Sequence, residues 1–178
     1  MPQEKLQLLK QLRIQWESAH PSPHNEEDWK DYAREITQHA ERWLDEGHGG
    51  CLLREPWAAR ILAEALMRFQ GQRYFTSCYA VLPNHCHALI RPDAGHSLET
   101  ILQGCKGFVA HELNRRRGRR GSLWQEESYD QIIRDDEHLY RVVQYIGRNP
   151  AKAGLPRELW VRWIHPDWVK AGWGFVDE

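Results

Sequence analysis

The sequence predicts an α+β fold: an antiparallel sheet with helices packed on it, preceded by a helical N-terminal extension. Three observations support this. Residues 74–82 and 86–91 are short apolar runs on either side of a kink at Pro83, as expected of two strands. Several longer stretches repeat apolar residues at i, i+3 and i+4, the helical period. The first forty-six residues contain no strand-like run and are acidic, with six Lys and Arg against ten Asp and Glu.

In chain order, residues 5–19 and 26–44 read as helices, and Gly47-His48-Gly49-Gly50 as a break. Cys51-Leu52-Leu53 is a short candidate strand. Residues 56–69 form a helix whose apolar stripe is Trp57, Ile61, Leu62, Ala65 and Leu66. After the two strands comes a helix over 98–117, with Ser97 as cap and Ile101, Phe108, Val109 and Leu113 on its apolar side. Residues 129–134 read as a short strand. A last helix starts in Asp135-Asp136-Glu137, acidic residues suited to a helix N-terminus, and stops at Pro150. The order after residue 50 approximates β-α-β-β-α-β, a ferredoxin-like or RRM-like core. The expected organisation is an extension over 1–46, one domain over 47–155, and a Trp-rich tail over 156–178 packed on that domain.

His85-Cys86-His87 carries the chemistry. Alternate residues of a strand share a face, so the two imidazoles lie together and Cys86 faces the other way, a ready two-nitrogen metal site. Helices on one side of the sheet would put this pair on the opposite, open face, or beneath the last helix. In that helix Leu139, Val142, Val143 and Ile146 form the apolar stripe. Tyr145 and Asn149 fall on its flank as an i,i+4 pair, with Arg141 and Arg148 close in angle. Tyr129 and Tyr140 are rival tyrosines, read as structural.

Leu82-Pro83-Asn84-His85-Cys86-His87, Leu123-Trp124-Gln125-Glu126, Tyr129-Asp130-Gln131-Ile132-Ile133-Arg134 and the run from Tyr145 through Asn149-Pro150 to Leu155 together resemble the HUH (His-hydrophobic-His) single-tyrosine transposases. The resemblance is closest to the REP-associated tyrosine transposases, and it runs from about residue 51 to 155. It implies that His85, His87 and Asn149 hold a divalent metal, Mg²⁺ or Mn²⁺, and that Tyr145 is the nucleophile. It also implies a partner, single-stranded DNA with hairpin structure, linked through a 5′-phosphotyrosine, and it places the His pair beneath the tyrosine helix. Three features depart from the family. Cys86 stands where a bulky hydrophobe is usual, the N-terminal extension replaces an early strand, and the tail carrying Trp160, Trp163, Trp168 and Trp173 lacks the usual ending.

The chemistry suits these residues. A phosphodiester repels nucleophiles, so a cation at the phosphate offsets charge and fixes geometry. A phenol with a pKa near 10 needs neighbouring positive charge to ionise, and Arg141 and Arg148 are placed to supply it. Candidate DNA contacts are Lys106, the patch Arg115, Arg116, Arg117, Arg119 and Arg120, then Trp124 and Gln125, where an aromatic beside arginines can stack on a base, and Arg134. Rival readings are an inactive or domesticated relative that only binds hairpin DNA or RNA, and a phosphoesterase using water as nucleophile.

The net charge of −1 excludes a generally sticky polycation, so any DNA surface is local. It should lie in residues 47–178, with eighteen basic against fifteen acidic residues. Cys51, Cys78, Cys86 and Cys105 show no Cys-x-x-Cys spacing and read as reduced thiols. No apolar run approaches the roughly 20 residues of a membrane span, so the expectation is a cytoplasmic protein, monomer or homodimer, with no membrane partner.

Overall fold

The computed structural model describes residues 3–45, 50–125, 128 and 130–176, and the chain divides into two compact units, Met1–Cys51 and Leu52–Glu178.

The first unit is helical: α1 (Gln3–Ala19), α2 (Glu26–Tyr32) and α3 (Gln38–Asp45). A π-helical turn, Ala33–Thr37, joins α2 to α3, so the helix read over 26–44 is interrupted rather than broken. Asn25 starts α2, its Oδ1 accepting from the N–H groups of Glu27 and Asp28 at 2.8 and 3.0 Å. Leu9, Trp16, Ile36 and Ala40 are buried. Trp16 stacks on His20 at 4.3 Å and donates its indole N–H to Asp31 at 2.9 Å.

The second unit is built on a three-stranded antiparallel sheet with helices packed around it. Its strands are β1 (Tyr74–Val81), β2 (Cys86–Pro92) and β3 (Val161–Ile164), in the order β2-β1-β3. Its helices are α4 (Pro56–Met67), α5 (Leu98–Arg117), α6 (Asp136–Lys152) and the short α7 (Pro166–Lys170). The α+β class holds, with three differences of detail. Leu52–Arg54 is a 3₁₀ turn instead of a strand: Leu53 donates one backbone bond to Pro83 at 2.9 Å and buries its side chain. Residues 130–134 are irregular, and Tyr129 lies outside the described residues, as do 46–49 at the expected glycine break. The third strand comes instead from the Trp-rich tail, where Tyr79 pairs with Trp163 and their rings stack at 5.6 Å.

Both sheet faces are covered. On one, α4 and α5 pack over Tyr79, Val81, Cys86, Ala88, Ile90 and Trp163. On the other, α6 and the C-terminal residues Trp168, Trp173 and Phe175 pack over Cys78, Ala80, Leu82, Leu89 and Ile164. A bulge between Thr76 and Cys78 sets this arrangement. Tyr74 and Thr76 face α4, donating their hydroxyls to the carbonyls of Ala65 and Leu66. Were Ser77 an ordinary strand residue, alternation would put Cys78 on the α4 face as well. With the bulge, Cys78, Ala80 and Leu82 turn to α6.

The ends of α5 and α6 follow their local chemistry. Ser97 caps α5 by accepting from Thr100 N–H at 3.2 Å, and Gly118 ends it with φ +61°. Asp135 caps α6, accepting from His138 N–H at 2.6 Å. Contrary to the expected stop, α6 runs through Pro150 to Lys152. A proline forfeits one backbone bond, and here it falls in the last turn. The next turn is closed by Ala153 N–H on the Asn149 carbonyl at 3.0 Å.

Candidate functional site

His85 sits in the β1–β2 turn, where its carbonyl accepts from Leu82 N–H at 2.9 Å, and His87 is two residues into β2. His85 Nδ1 lies 2.8 Å from Asn84 Oδ1, an atom that only accepts. The Nδ1 therefore carries the proton, and Nε2 presents a lone pair. That Nε2 is 3.1 Å from Nε2 of His87, with the rings nearly perpendicular. Two ligands at about 2.1 Å from an octahedral cation, at right angles, stand about 3 Å apart, so this spacing suits a shared cation.

Both imidazoles are held neutral. Burial pushes His85 down to about 3, with the neighbouring His87 adding to the shift. It pushes His87 down to about 4, with the charge of Lys152 adding.

Helix α6 lies over this pair. The Tyr145 ring meets His87 edge to face at 5.2 Å, and Asn149, fully buried, donates its Nδ2–H to the Tyr145 hydroxyl at 3.0 Å. Asn149 Oδ1 is buried with no hydrogen-bond partner among the described residues. An orphaned amide oxygen costs about 1–3 kcal/mol, and a cation is one partner that would satisfy it. No cluster of three His, Cys, Asp or Glu side chains occurs among the described residues. Asn149 Oδ1 is an unpartnered oxygen among the described residues, on the helix that lies over the two imidazoles. His85 and His87 lie beneath α6, against Tyr145, not on an open face.

The positive groups are arranged differently from expectation. Arg141 pairs with Glu137 at 2.9 Å, and Arg148 donates to the carbonyl of Val176 at 3.4 Å. Lys152 lies over the Tyr145 ring, its Nζ 5.7 Å from the centroid. Lys152 escaped notice because it follows Pro150, read as the helix stop; seven residues after Tyr145, it lies on the same side of a continuing helix.

A protein of Haemophilus influenzae named "Putative REP-associated tyrosine transposase" is 28% identical over 89 residues, covering 44% of this chain and 51% of that protein. The chain therefore spans about half the length of that relative. No family model and no solved structure matches the chain.

Of the expected DNA contacts, Arg117, Arg119 and Arg120 are exposed at the end of α5. Arg115 is paired with Glu112 at 2.8 Å, and Arg116 lies over the Trp57 ring at 5.4 Å. Lys106 donates to Ser128 Oγ at 2.6 Å, and burial pushes its ammonium below the usual range, with Asp130 opposing the shift. Trp124, expected to stack on a base, packs instead against the α4–α5 core with its indole N–H on the Lys106 carbonyl at 2.8 Å. An indole with a donor to satisfy and a large apolar face gains more from burial than from solvent. Gln125 is half-buried beside it, and Arg134 is exposed just before α6. Among the described residues no helix is long and apolar enough to cross a membrane.

Proposed function

We propose that the protein is a metal-dependent endonuclease and strand transferase for single-stranded, hairpin-containing DNA, with Tyr145 as nucleophile and a 5′-phosphotyrosine intermediate. The observation that supports this reading best is the contiguous set of His85, His87, Tyr145 and Asn149, with a buried amide oxygen left for a cation. The similarity to a tyrosine transposase points the same way.

A divalent cation held by His85, His87 and Asn149 Oδ1 would offset the negative charge of the scissile phosphate. Asn149 Nδ2 holds the Tyr145 oxygen in place, and Lys152 favours its ionised form. Tyr145 loses its hydroxyl proton to solvent and attacks phosphorus. A Tyr145 Oη–P bond forms, the P–O3′ bond breaks, and the departing oxygen takes a proton to become a free 3′-hydroxyl. The ester retains the reactivity of the broken bond, so a second 3′-hydroxyl can displace Tyr145 without an external energy source.

The test incubates end-labelled hairpin strands, drawn from DNA flanking the native gene, with the protein and Mg²⁺ or Mn²⁺. A denaturing gel and peptide mass spectrometry then locate any adduct. A chelator-sensitive adduct on Tyr145, absent from Tyr145→Phe, is the expected result. Turnover that survives Tyr145→Phe without an adduct would overturn the reading in favour of water as nucleophile. Tight binding with no cleavage would mark a hairpin-binding protein.

A further inference from the structure

A cleft of about 290 Å³ opens where the end of α4, the start of β1 and the first half of α5 meet. It lies on the sheet face opposite the tyrosine helix. It also lies at the other end of β1, a strand whose eight residues span about 23 Å. Its walls include Phe69, Phe108 and Ile101, with Arg68 and Arg73 at its edge.

Two independent features mark it as a binding site. The first is its charge. The guanidinium carbon of Arg73 stands 4.0 Å from the Phe69 ring centroid, and that of Arg68 lies between two rings, 5.0 Å from Phe108 and 5.7 Å from Phe69. Neither arginine is paired with a carboxylate among the described residues, and none of the cleft's lining residues is acidic. The second is Gly104, inside α5 and lining the cleft. A glycine weakens a helix interior, and it persists where backbones pack closely or where a ligand approaches. Close packing is not the reason here, since a Cβ at 104 would meet nothing within 4 Å. Its missing side chain keeps the cleft open.

We infer that this cleft takes one unpaired nucleotide of a single-stranded DNA tail, the base against Ile101 and the open side of α5 at Gly104 and the adjoining phosphates on Arg68 and Arg73. Apolar walls suit a base of any sequence, and two rigid cationic forks suit phosphate oxygens. The volume is at the small end of the range for small-molecule sites, about 300–1,000 Å³, which favours one nucleotide over a peptide. Thr100 Oγ accepts from Ser97 Oγ at 2.8 Å, so its own O–H remains a donor toward a base edge. The inference rests on the proposed action on DNA, but on none of the residues beneath α6.

The experiment measures fluorescence anisotropy of a labelled hairpin with a single-stranded tail of about twelve nucleotides, within the usual site sizes for such strands. The same hairpin without a tail and free dAMP are compared. Gly104→Leu, which fills the cleft, and the double variant Arg68→Ala/Arg73→Ala should each weaken the tailed strand about tenfold and leave the untailed hairpin unchanged. The double variant should also reduce the salt dependence, lowering the log–log slope by about one to two. Gly104→Ala should raise the melting temperature, showing that the site tolerates a side chain in the fold.

Equal affinity of parent and variants for the tailed strand would overturn the inference, as would cleft-dependent binding of dAMP alone. A Tyr145 adduct formed normally by variants with unchanged tail affinity would sink the cleft and spare the proposed function. Cleft-dependent tail binding without any adduct would do the reverse.

Discussion

Asn149 reaches back one helical turn to donate its amide to the Tyr145 hydroxyl at 3.0 Å, while its own carbonyl oxygen is buried without a partner. One side chain thus holds the tyrosine with one atom and, on the proposed reading, is free to ligate a cation with the other. Asn149→Ala should reduce adduct formation at least tenfold. It should also reduce the stabilisation conferred by Mn²⁺, which for the parent is about 2.7 kcal/mol at a hundredfold excess over Kd. A thermal shift with Mn²⁺ identical in the two proteins would refute the ligand role.

Stability should depend on acid through the buried imidazoles. Their folded pKa values, about 3 for His85 and about 4 for His87, lie below the usual 6.5. Below pH 6.5 the unfolded chain therefore binds protons that the folded one refuses. Stability is fully present above about pH 7 and falls as the pH drops from 6.5 towards 4. Each pKa unit is worth about 1.4 kcal/mol, so the loss amounts to several kcal/mol. Urea midpoints at pH 7.5 and 4.5 measure it, and His85→Leu should flatten the dependence.

Gly147 in α6 is crowded, and a Cβ there would overlap the ring of Phe175. Gly147→Ala should therefore destabilise by about 1–3 kcal/mol despite alanine's better helix propensity. Adding Phe175→Ala should reverse the sign of the alanine effect. Chemical denaturation of the two single variants and the double variant closes the cycle.

Burial pushes the thiols of Cys78 and Cys86 up to about 12. At pH 8 neither should react with iodoacetamide in the native protein, and both should react in urea, read by mass spectrometry. Rapid native labelling of Cys86 would contradict its packing against α4 and α5. Cys86→Val should keep both fold and adduct, since the site uses Cys86 only as a small apolar group.

Lys152→Ala should slow adduct formation and move its pH profile upward, because the ammonium over the Tyr145 ring favours the phenolate. Lys152→Arg should restore most of the rate. An unchanged pH profile in the alanine variant would assign the lysine a different role.

The site was more legible in the sequence than the sheet. Strand alternation puts His85 and His87 on one face even though His85 falls just before β2, and Tyr145 and Asn149 share a flank by helical period. These are local rules, and the geometry follows them. What escaped depends on distant partners. Val161–Ile164 is only four residues long, too short for periodicity, and becomes a strand because β1 leaves an edge to fill. Leu52 and Leu53 have strand-like composition but spend their apolar surface on the α4–α5 core. The burial of Trp124 and the Gln144 amide, which donates to Gly174 and accepts from Val176 at 2.8 Å each, are likewise set by contacts far along the chain.

The bulge at Ser77 has a further implication. Because the extra residue shifts the alternation by one, the even-numbered residues of β1 face α4 before it and α6 after it. Substitutions that reshape the nucleotide cleft at Tyr74 and those that retune the floor under Tyr145 at Ala80 are thereby uncoupled. The two ends of one strand are free to diverge as if they belonged to separate proteins.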